Sequence, residues 1–269
     1  VNISPRIAWY EAVFERYRIH LTLLVAGMSF LRVRLIICAL LVLSASAITG
    51  IGINDYSMVF VGGGLKDDND KVWSTIIELG GGAGTARFGV VSAASGDPCC
   101  DADSSFVYYR DQLIRYGAAE IYYIPVTVNS TDENTNPAVI SKIRTLTGFM
   151  FGGGDQLKII RSFYNGARFE QASPALVAIK ETVLATGGVV AGTSAGTDCQ
   201  TSLMMITGGA SYSALTQGAQ VHWEPVPSPN FEQLTGYTHG VGVFPHGLLD
   251  THFENRGRHG RLLRLLADT

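Results

Sequence analysis

A serine between two glycines is the residue of this chain most suited to chemistry. Ser194 lies between Gly192 and Gly196, directly after the apolar residues 189–191, which suit a buried strand. A Gly-x-Ser-x-Gly turn between a strand and a helix is typical of a nucleophile elbow, because the glycines let the two elements pass closely. The sequence therefore predicts Ser194 as a catalytic nucleophile. The alternative is a close-packed glycine-rich turn without a catalytic role.

A serine nucleophile needs a general base, and five of the six histidines follow it in the chain. They are His222, His239, His246, His252 and His259. His252 has the most suitable surroundings, because a strand-like apolar run at 241–245 leads to it and a helix is predicted to begin there. We therefore predict His252 as the base, and a structural or surface role is the alternative for the others.

An acyl-transfer site also needs hydrogen-bond donors for the oxyanion. The backbone N–H of Ala195 follows the nucleophile, and the N–H of Gly153 or Gly154 is the second predicted donor because glycine lets a backbone approach closely. The glycine triplet at 152–154 is alternatively a phosphate cradle. Against this, no Lys-Ser or Lys-Thr pair follows it, as a nucleotide-binding loop would require.

Arginines are concentrated close to His252, although the chain as a whole is acidic. They are Arg256, Arg258, Arg261 and Arg264. Guanidinium groups bind carboxylates in a bidentate manner, so the cluster favours an acidic substrate. The alternative is that these arginines lie on a solvated helix face. For Arg261 and Arg264 we give this alternative the same weight as a role in substrate binding. For Arg256 we favour a role in substrate binding, because it would lie one helical turn after His252.

Apolar and amphipathic segments alternate from Tyr56 onward. The strands are predicted at 57–61, 88–93, 121–126, 148–151 and 189–191. The helices are predicted at 70–79, 104–116, 137–146, 155–163 and 174–185. This alternation predicts an α/β domain with a doubly wound, mostly parallel sheet and helices on both faces. The glycine-rich motifs would then meet at the carboxyl ends of strands, below loops and short strands formed by 207–237.

The first 47 residues have the layout of a leader that is not part of the fold. Arg32 and Arg34 precede an apolar run at 35–43, and small residues at 45–47 suit signal-peptide cleavage, with Met28 as the start. The alternative, a membrane anchor, would bury both arginines. We therefore expect a secreted protein without a stable membrane span after processing, and a single α/β domain over residues 56–269.

The charge and the cysteines of the chain limit which partners, disulfides and metal sites it can have. Without the leader, which carries five arginines and two glutamates, the net charge changes from −3 to about −6, which argues against nucleic acid. Asn129 opens a glycosylation sequon. Cys99, Cys100 and Cys199 permit one bridge, such as Cys100 with Cys199, or three buried thiols. Their spacing predicts no metal site, and no motif calls for a cofactor.

Three blocks in order resemble the signature motifs of cyanophycinases, which are serine peptidases related to dipeptidase E. The blocks are Gly-Gly-Asp-Gln at 153–156, Gly-Thr-Ser-Ala-Gly at 192–196, and residues 250–262. The resemblance implies a flavodoxin-like, class I glutamine amidotransferase-like domain, commonly a dimer, that cleaves aspartate-containing peptides such as β-aspartyl-arginine polymers. By motif position, Ser194 is the nucleophile and His252 the base. The implied substrate-binding residues are Gln156, Asp250, Arg256, Arg258 and Arg261.

Two departures from the family pattern define an alternative function. Thr251 stands where cyanophycinases usually have glutamine. The family also continues into strands that carry a glutamate thought to orient the histidine, whereas this sequence stops at Thr269, so we expect either a truncated gene model or an incomplete triad. The alternative is a catalytically inactive family member that binds acidic peptides.

Overall fold

A computed structural model describes residues 55–222, 233–237 and 239–269. These residues belong to one compact unit, Ile53–Thr269. The predicted leader lies outside the described residues, so the signal peptide and its cleavage site stay predictions. Within the described part of the chain, no helix has both the length and the apolar character needed to cross a membrane.

Five parallel strands form the main sheet, in the order β1-β7-β4-β2-β3. They are β1 (Ser57–Val61), β2 (Arg87–Val91), β3 (Glu120–Tyr123), β4 (Gly148–Phe151) and β7 (Val189–Thr193). The bounds of β1 and β4 are those predicted from the sequence. β2 and β3 each begin one residue earlier than predicted and end earlier, while β7 extends through Thr193.

Five helices cover both faces of this sheet. They are α1 (Asp70–Leu79), α2 (Ser105–Arg115), α3 (Pro137–Ile143), α4 (Gln156–Phe163) and α5 (Pro174–Thr186). Successive residues of β4 point to opposite faces. Met150 belongs to the core cluster of α1 and α2, and Phe149 and Phe151 belong to the cluster of α3, α4 and α5. The predicted doubly wound arrangement is therefore present.

Side-chain caps fix where several of these helices begin. Asp155 accepts a hydrogen bond from Leu157 N and caps α4, and Ser173 accepts one from Leu176 N and caps α5. Such caps satisfy backbone N–H groups that have no partner within the helix. The cap of α4 matters for the site, because it fixes the chain directly after the glycine triplet.

Smaller elements complete the described residues. A 3-10 helix spans Thr131–Thr135, and a hairpin pairs β5 (Tyr164–Asn165) with β6 (Gln171–Ala172). A second sheet has the order β8-β10-β9, with β8 (Met205–Thr207), β9 (Gln220–His222) and β10 (Thr235–Tyr237). The remaining helices are α6 (Ala195–Asp198), α7 (Ser211–Gln217) and α8 (His259–Asp268). The short strands after residue 205 agree with the prediction for 207–237, but α7 was not predicted.

Two predicted elements are wrong. The strand predicted at 241–245 is a series of bends, because its amides bond to the loop after α6: Val241 N donates to Cys199 O, and Gly242 N to Thr201 O. The helix predicted to begin at His252 begins at His259. His252 and Gly257 have φ angles of 49° and 58°, which no α-helix accommodates.

The cysteines form one bridge and leave one free thiol, as in the first predicted alternative, but the bridge joins Cys99 to Cys100 and not Cys100 to Cys199. Cys99 and Cys100 form a disulfide with each other in the loop after β2, and Cys199 is a buried free thiol. Burial raises the pKa of the Cys199 thiol well above its usual value, which keeps it protonated. Cys199 therefore packs in the core, and it has no disulfide partner.

Candidate active site

Ser194 lies at the turn between β7 and α6, as predicted. Its φ angle of 53° is in the left-handed region, which only a tight turn imposes on a serine. A Cβ atom at Gly196 would lie 2.1 Å from Phe151 O, and one at Gly192 would lie 2.3 Å from Gly196 O. The two flanking glycines are therefore required, because α6 lies in backbone contact with both β7 and β4.

The imidazole of His252 lies beside the Ser194 hydroxyl. Ser194 Oγ and His252 Nε2 are 2.8 Å apart, which is hydrogen-bond distance. The backbone N–H of His252 donates to the carbonyl oxygen of Gly62, directly after β1. A Cβ atom at Gly63 would lie 2.3 Å from the ring carbon Cε1 of His252. The histidine therefore occupies a position that only a glycine at residue 63 leaves open.

The surroundings of His252 favour its neutral form. Burial lowers the pKa of His252 first, and the positive charges of Arg256, Arg258 and Arg261 lower it further, against a smaller opposing effect of Asp250. A neutral imidazole can accept the proton of a hydroxyl group, which a general base must do. Within the described residues, no carboxylate is hydrogen-bonded to its other ring nitrogen, Nδ1.

The three predicted oxyanion donors differ in availability. Gly153 lies next to the nucleophile, but its N–H donates to the Tyr109 hydroxyl at 3.1 Å. Gly154 and Ala195 both line the cavity that contains Ser194. A Cβ atom at Gly154 would lie 2.1 Å from Ala94 O, so this segment also requires glycine. The geometry therefore favours Gly154 over Gly153 as the partner of Ala195.

A cavity of about 510 Å³ opens beside the serine and contains most of the predicted substrate-binding residues. It is lined by Gln156, Arg256, Arg258 and Arg261, together with residues of the 207–210 loop. Gln156 is fixed by a hydrogen bond from its Nε2 atom to Ile206 O. Arg258 Nη1 donates to Thr251 O at 2.8 Å. The exposed Arg256 guanidinium has no ion-pair partner within the described residues.

Asp250 and Arg261 bind each other in the interior. Arg261 is 2% exposed, its Nε and Nη2 atoms donate to the two oxygens of Asp250, and its Nη1 donates to Gly208 O. This bidentate pair fixes the loop before His252 against the loop after β8. Of the two arginines for which substrate binding and a solvated helix face were equal alternatives, Arg264 lies on the surface, where it pairs with Asp268.

Asp198 is a residue of this cavity that the sequence analysis missed. It is 2% exposed, its Oδ2 atom accepts a hydrogen bond from the Thr251 hydroxyl at 2.9 Å, and its Oδ1 atom has no partner within the described residues. Burial and the nearby Asp250 raise the pKa of Asp198 to about 7. The available signal was its position four residues after Ser194, on the same side of a predicted helix.

Other candidate chemistry is not supported by the described residues. In that part of the chain, no group of three His, Cys, Asp or Glu side chains is arranged to hold a metal ion. Among the five histidines after the nucleophile, His252 alone lines the described cavity. The site thus consists of a serine, a histidine, backbone donors, arginines and one buried carboxyl group.

Comparison with known proteins agrees with the three motifs. The chain is 25% identical over 212 residues to cyanophycinases of Synechococcus elongatus and Thermosynechococcus vestitus, and 24% identical over 186 residues to that of Trichormus variabilis. The chain is cyanophycinase-like. The first two alignments cover 78% of this chain but 56% of each relative, so the cyanophycinase-like chain matches only about half of their length. No family model matches it.

A solved structure supports the fold of this cyanophycinase-like chain. The crystal structure of a peptidase from an acI-B1 actinobacterium superposes with a TM-score of 0.53 at 19% identity, covering 80% of this chain and 77% of the other. At this identity the likeness concerns the fold alone. Together with the parallel sheet, it confirms the predicted α/β fold class.

Proposed function

We propose that this protein is a serine-type peptidase that cleaves aspartyl or β-aspartyl peptide bonds through an acyl-enzyme on Ser194. The observation that carries the proposal is the 2.8 Å distance between Ser194 Oγ and His252 Nε2. The similarity to cyanophycinases supports the peptidase class. Secretion and homodimer formation, expected from the leader and the resemblance, stay predictions.

His252 would transfer protons in both steps of the reaction, the acylation of Ser194 and the hydrolysis of the acyl-enzyme. His252 Nε2 takes the hydroxyl proton as Ser194 Oγ attacks the substrate carbonyl carbon, and the N–H groups of Ala195 and Gly154 stabilise the oxyanion. His252 then gives the proton to the leaving nitrogen as the C–N bond breaks. Water, deprotonated by the same imidazole, hydrolyses the ester and restores the serine.

Two arginines of the cavity suit an acidic acyl residue. Arg256 has no ion-pair partner within the described residues. Arg258 is half-buried, and its Nη1 atom donates to the Thr251 carbonyl and lies 3.7 Å from Asp250 Oδ1, which leaves its other nitrogens for the substrate. Asp250 and Arg261 satisfy each other, so they support the binding loop in this proposal and do not contact the substrate. A substrate carboxylate between Arg256 and Arg258 would place the neighbouring carbonyl near Ser194.

The proposal is tested with β-aspartyl-arginine, α-aspartyl-arginine and cyanophycin as substrates. Ser194→Ala should lower the turnover of the cleaved substrate by about 10⁴-fold or more, since members of a triad act as a unit. The matched control is Ser74→Ala, because Ser74 is exposed on α1 and remote in sequence from the site. Equal turnover by the Ser194→Ala variant and the unmodified protein would refute the assignment of the nucleophile.

A binding protein without turnover is the second candidate, and one observation favours it. No described carboxylate orients His252 through its Nδ1 atom. This candidate predicts affinity for aspartyl-arginine without hydrolysis and without labelling of Ser194 by a fluorophosphonate. Stoichiometric labelling that disappears in Ser194→Ala and persists in Ser74→Ala would exclude it.

A further inference from the structure

We propose that Asp198 determines specificity by binding a free ammonium group on the acyl residue of the substrate. The inference rests on the proposed function and makes it narrower. The enzyme would remove aspartyl or β-aspartyl residues that carry a free amino group, and it would discriminate against the same acyl group without that amine.

The carboxyl group of Asp198 is placed to bind a ligand. It is 2% exposed, yet it lines the cavity that contains Ser194 and His252. The Thr251 hydroxyl donates to Oδ2, whereas Oδ1 has no partner within the described residues. A buried carboxyl oxygen without a partner carries a substantial desolvation cost, which a donor supplied by the substrate would offset.

The charges around Asp198 favour a cation over a further anion. The nearby Asp250 is already paired with Arg261 through two hydrogen bonds, and Asp155, the other acid that lines the cavity, caps α4. Arg258 and Arg261 are close enough to lower the pKa of Asp198, but within the described residues their ion pairs are with Asp250 and not with Asp198. The pKa of Asp198 is raised to about 7 mainly because burial disfavours the charged form. An ammonium ion beside Oδ1 would reverse this effect and stabilise the carboxylate.

The opposite side of the cavity is basic, which limits the shape of the group that binds. Arg256 and Arg258 line this cavity together with Asp198. A group carrying both an ammonium and a carboxylate would satisfy both sides at once. An N-terminal aspartyl residue, in either the α or the β linkage, carries both charges within the acyl group.

Thr251 contributes to the same subsite. It occupies the position where the cyanophycinase motif usually has glutamine, and its hydroxyl holds Asp198 by a bond of 2.9 Å. The shorter threonine side chain therefore orients the buried acid.

The experiment compares three substrates that share one acyl skeleton. Succinyl-arginine has the acyl group of both aspartyl-arginine isomers, but lacks the amine. The unmodified protein should cleave its preferred aspartyl-arginine isomer with a kcat/KM about 10- to 100-fold above that for succinyl-arginine, as expected for a hydrogen bond between charged groups. In Asp198→Asn, this ratio should fall towards one, chiefly through loss of activity on the aminated substrate.

If Asp198→Asn leaves the ratio of the two kcat/KM values unchanged, for example because both substrates lose activity equally, the proposal is overturned. Where the variant fails to fold, calorimetric binding of the same compounds to Ser194→Ala replaces it. Tighter binding of aspartyl-arginine than of succinyl-arginine supports the subsite, and equal affinities overturn it. Cleavage of both substrates by Ser194→Ala would instead refute the nucleophile, so the two failures are distinguishable.

Discussion

Replacing Asp198 should change how the stability of the protein depends on pH. Burial and the neighbouring Asp250 raise the pKa of Asp198 from its ordinary value of 3.8 to about 7. The folded state therefore keeps its proton to a higher pH than the unfolded chain does. The stability that this proton contributes is fully present below pH 3.8, and it is lost as the pH rises towards 7.

The magnitude follows from the size of the shift. A difference of about three pKa units corresponds to about 4 kcal/mol at 1.36 kcal/mol per unit. About 2.5 kcal/mol of this falls between about pH 5 and about pH 8, by the linkage relation. For a domain of this size, that corresponds to roughly 5–10 °C in the melting temperature. Relative to the unmodified protein, Asp198→Asn should therefore gain stability by this amount between the two pH values.

Thermal unfolding followed by circular dichroism at both pH values measures the effect. Asp198→Ala serves as a second variant, because it also removes the titrating group but leaves a small cavity. Both variants should show the same change with pH, offset from each other by the packing difference. A melting-temperature difference from the unmodified protein that is identical at the two pH values would refute the buried, protonated state of Asp198.

Three further changes test the geometry around the nucleophile. Gly63→Ala should lower kcat by about 100-fold, because the added Cβ atom would displace the His252 ring. Gly62→Ala is the control, because no atom lies within 4 Å of its added Cβ atom, and equal activities of the two variants would contradict the prediction. With succinyl-arginine, which has no ammonium group for Asp198 to bind, the acidic limb of kcat/KM should lie below pH 6.5, because burial and arginines lower the pKa of His252. A midpoint above pH 6.5 with this substrate would contradict this. Arg261→Met should cost about 3 kcal/mol in urea unfolding, because it removes both hydrogen bonds of the bidentate pair and leaves buried Asp250 with only the more distant Arg258, at 3.7 Å. Exposed Arg264→Met is its control, and similar costs would disprove the role of the ion pair.

Local sequence patterns were sufficient to predict much of the nucleophile's position. Residues 57–61 and 148–151 are mostly apolar segments that are each followed by a glycine triplet, and both form the predicted strands. The turn at Ser194 depends on Gly192 and Gly196, which lie within two residues of it. The glycine pattern that predicts this turn is therefore local, although the contact that requires Gly196 is with Phe151 O, 45 residues earlier.

Long-range contacts account for what the sequence did not predict. Residues 241–245 have strand-like composition, but their amides bond to a loop about 40 residues earlier in the chain. Gly63 is required by the ring of His252, which is 189 residues away, and no local pattern indicates that contact. Asp198 likewise bonds to Thr251, 53 residues later in the chain, and no local pattern indicates that contact.

The two residues that would exchange the proton share an unfavourable backbone conformation. Ser194 and His252 have φ angles of 53° and 49° and are two of the three non-glycine residues with positive φ in the described chain. Each such conformation costs about 1–3 kcal/mol, which glycine would avoid. Selection for robustness alone would therefore replace both side chains. The fold therefore holds Ser194 and His252 at a cost in stability that the sheet and its helices do not themselves require.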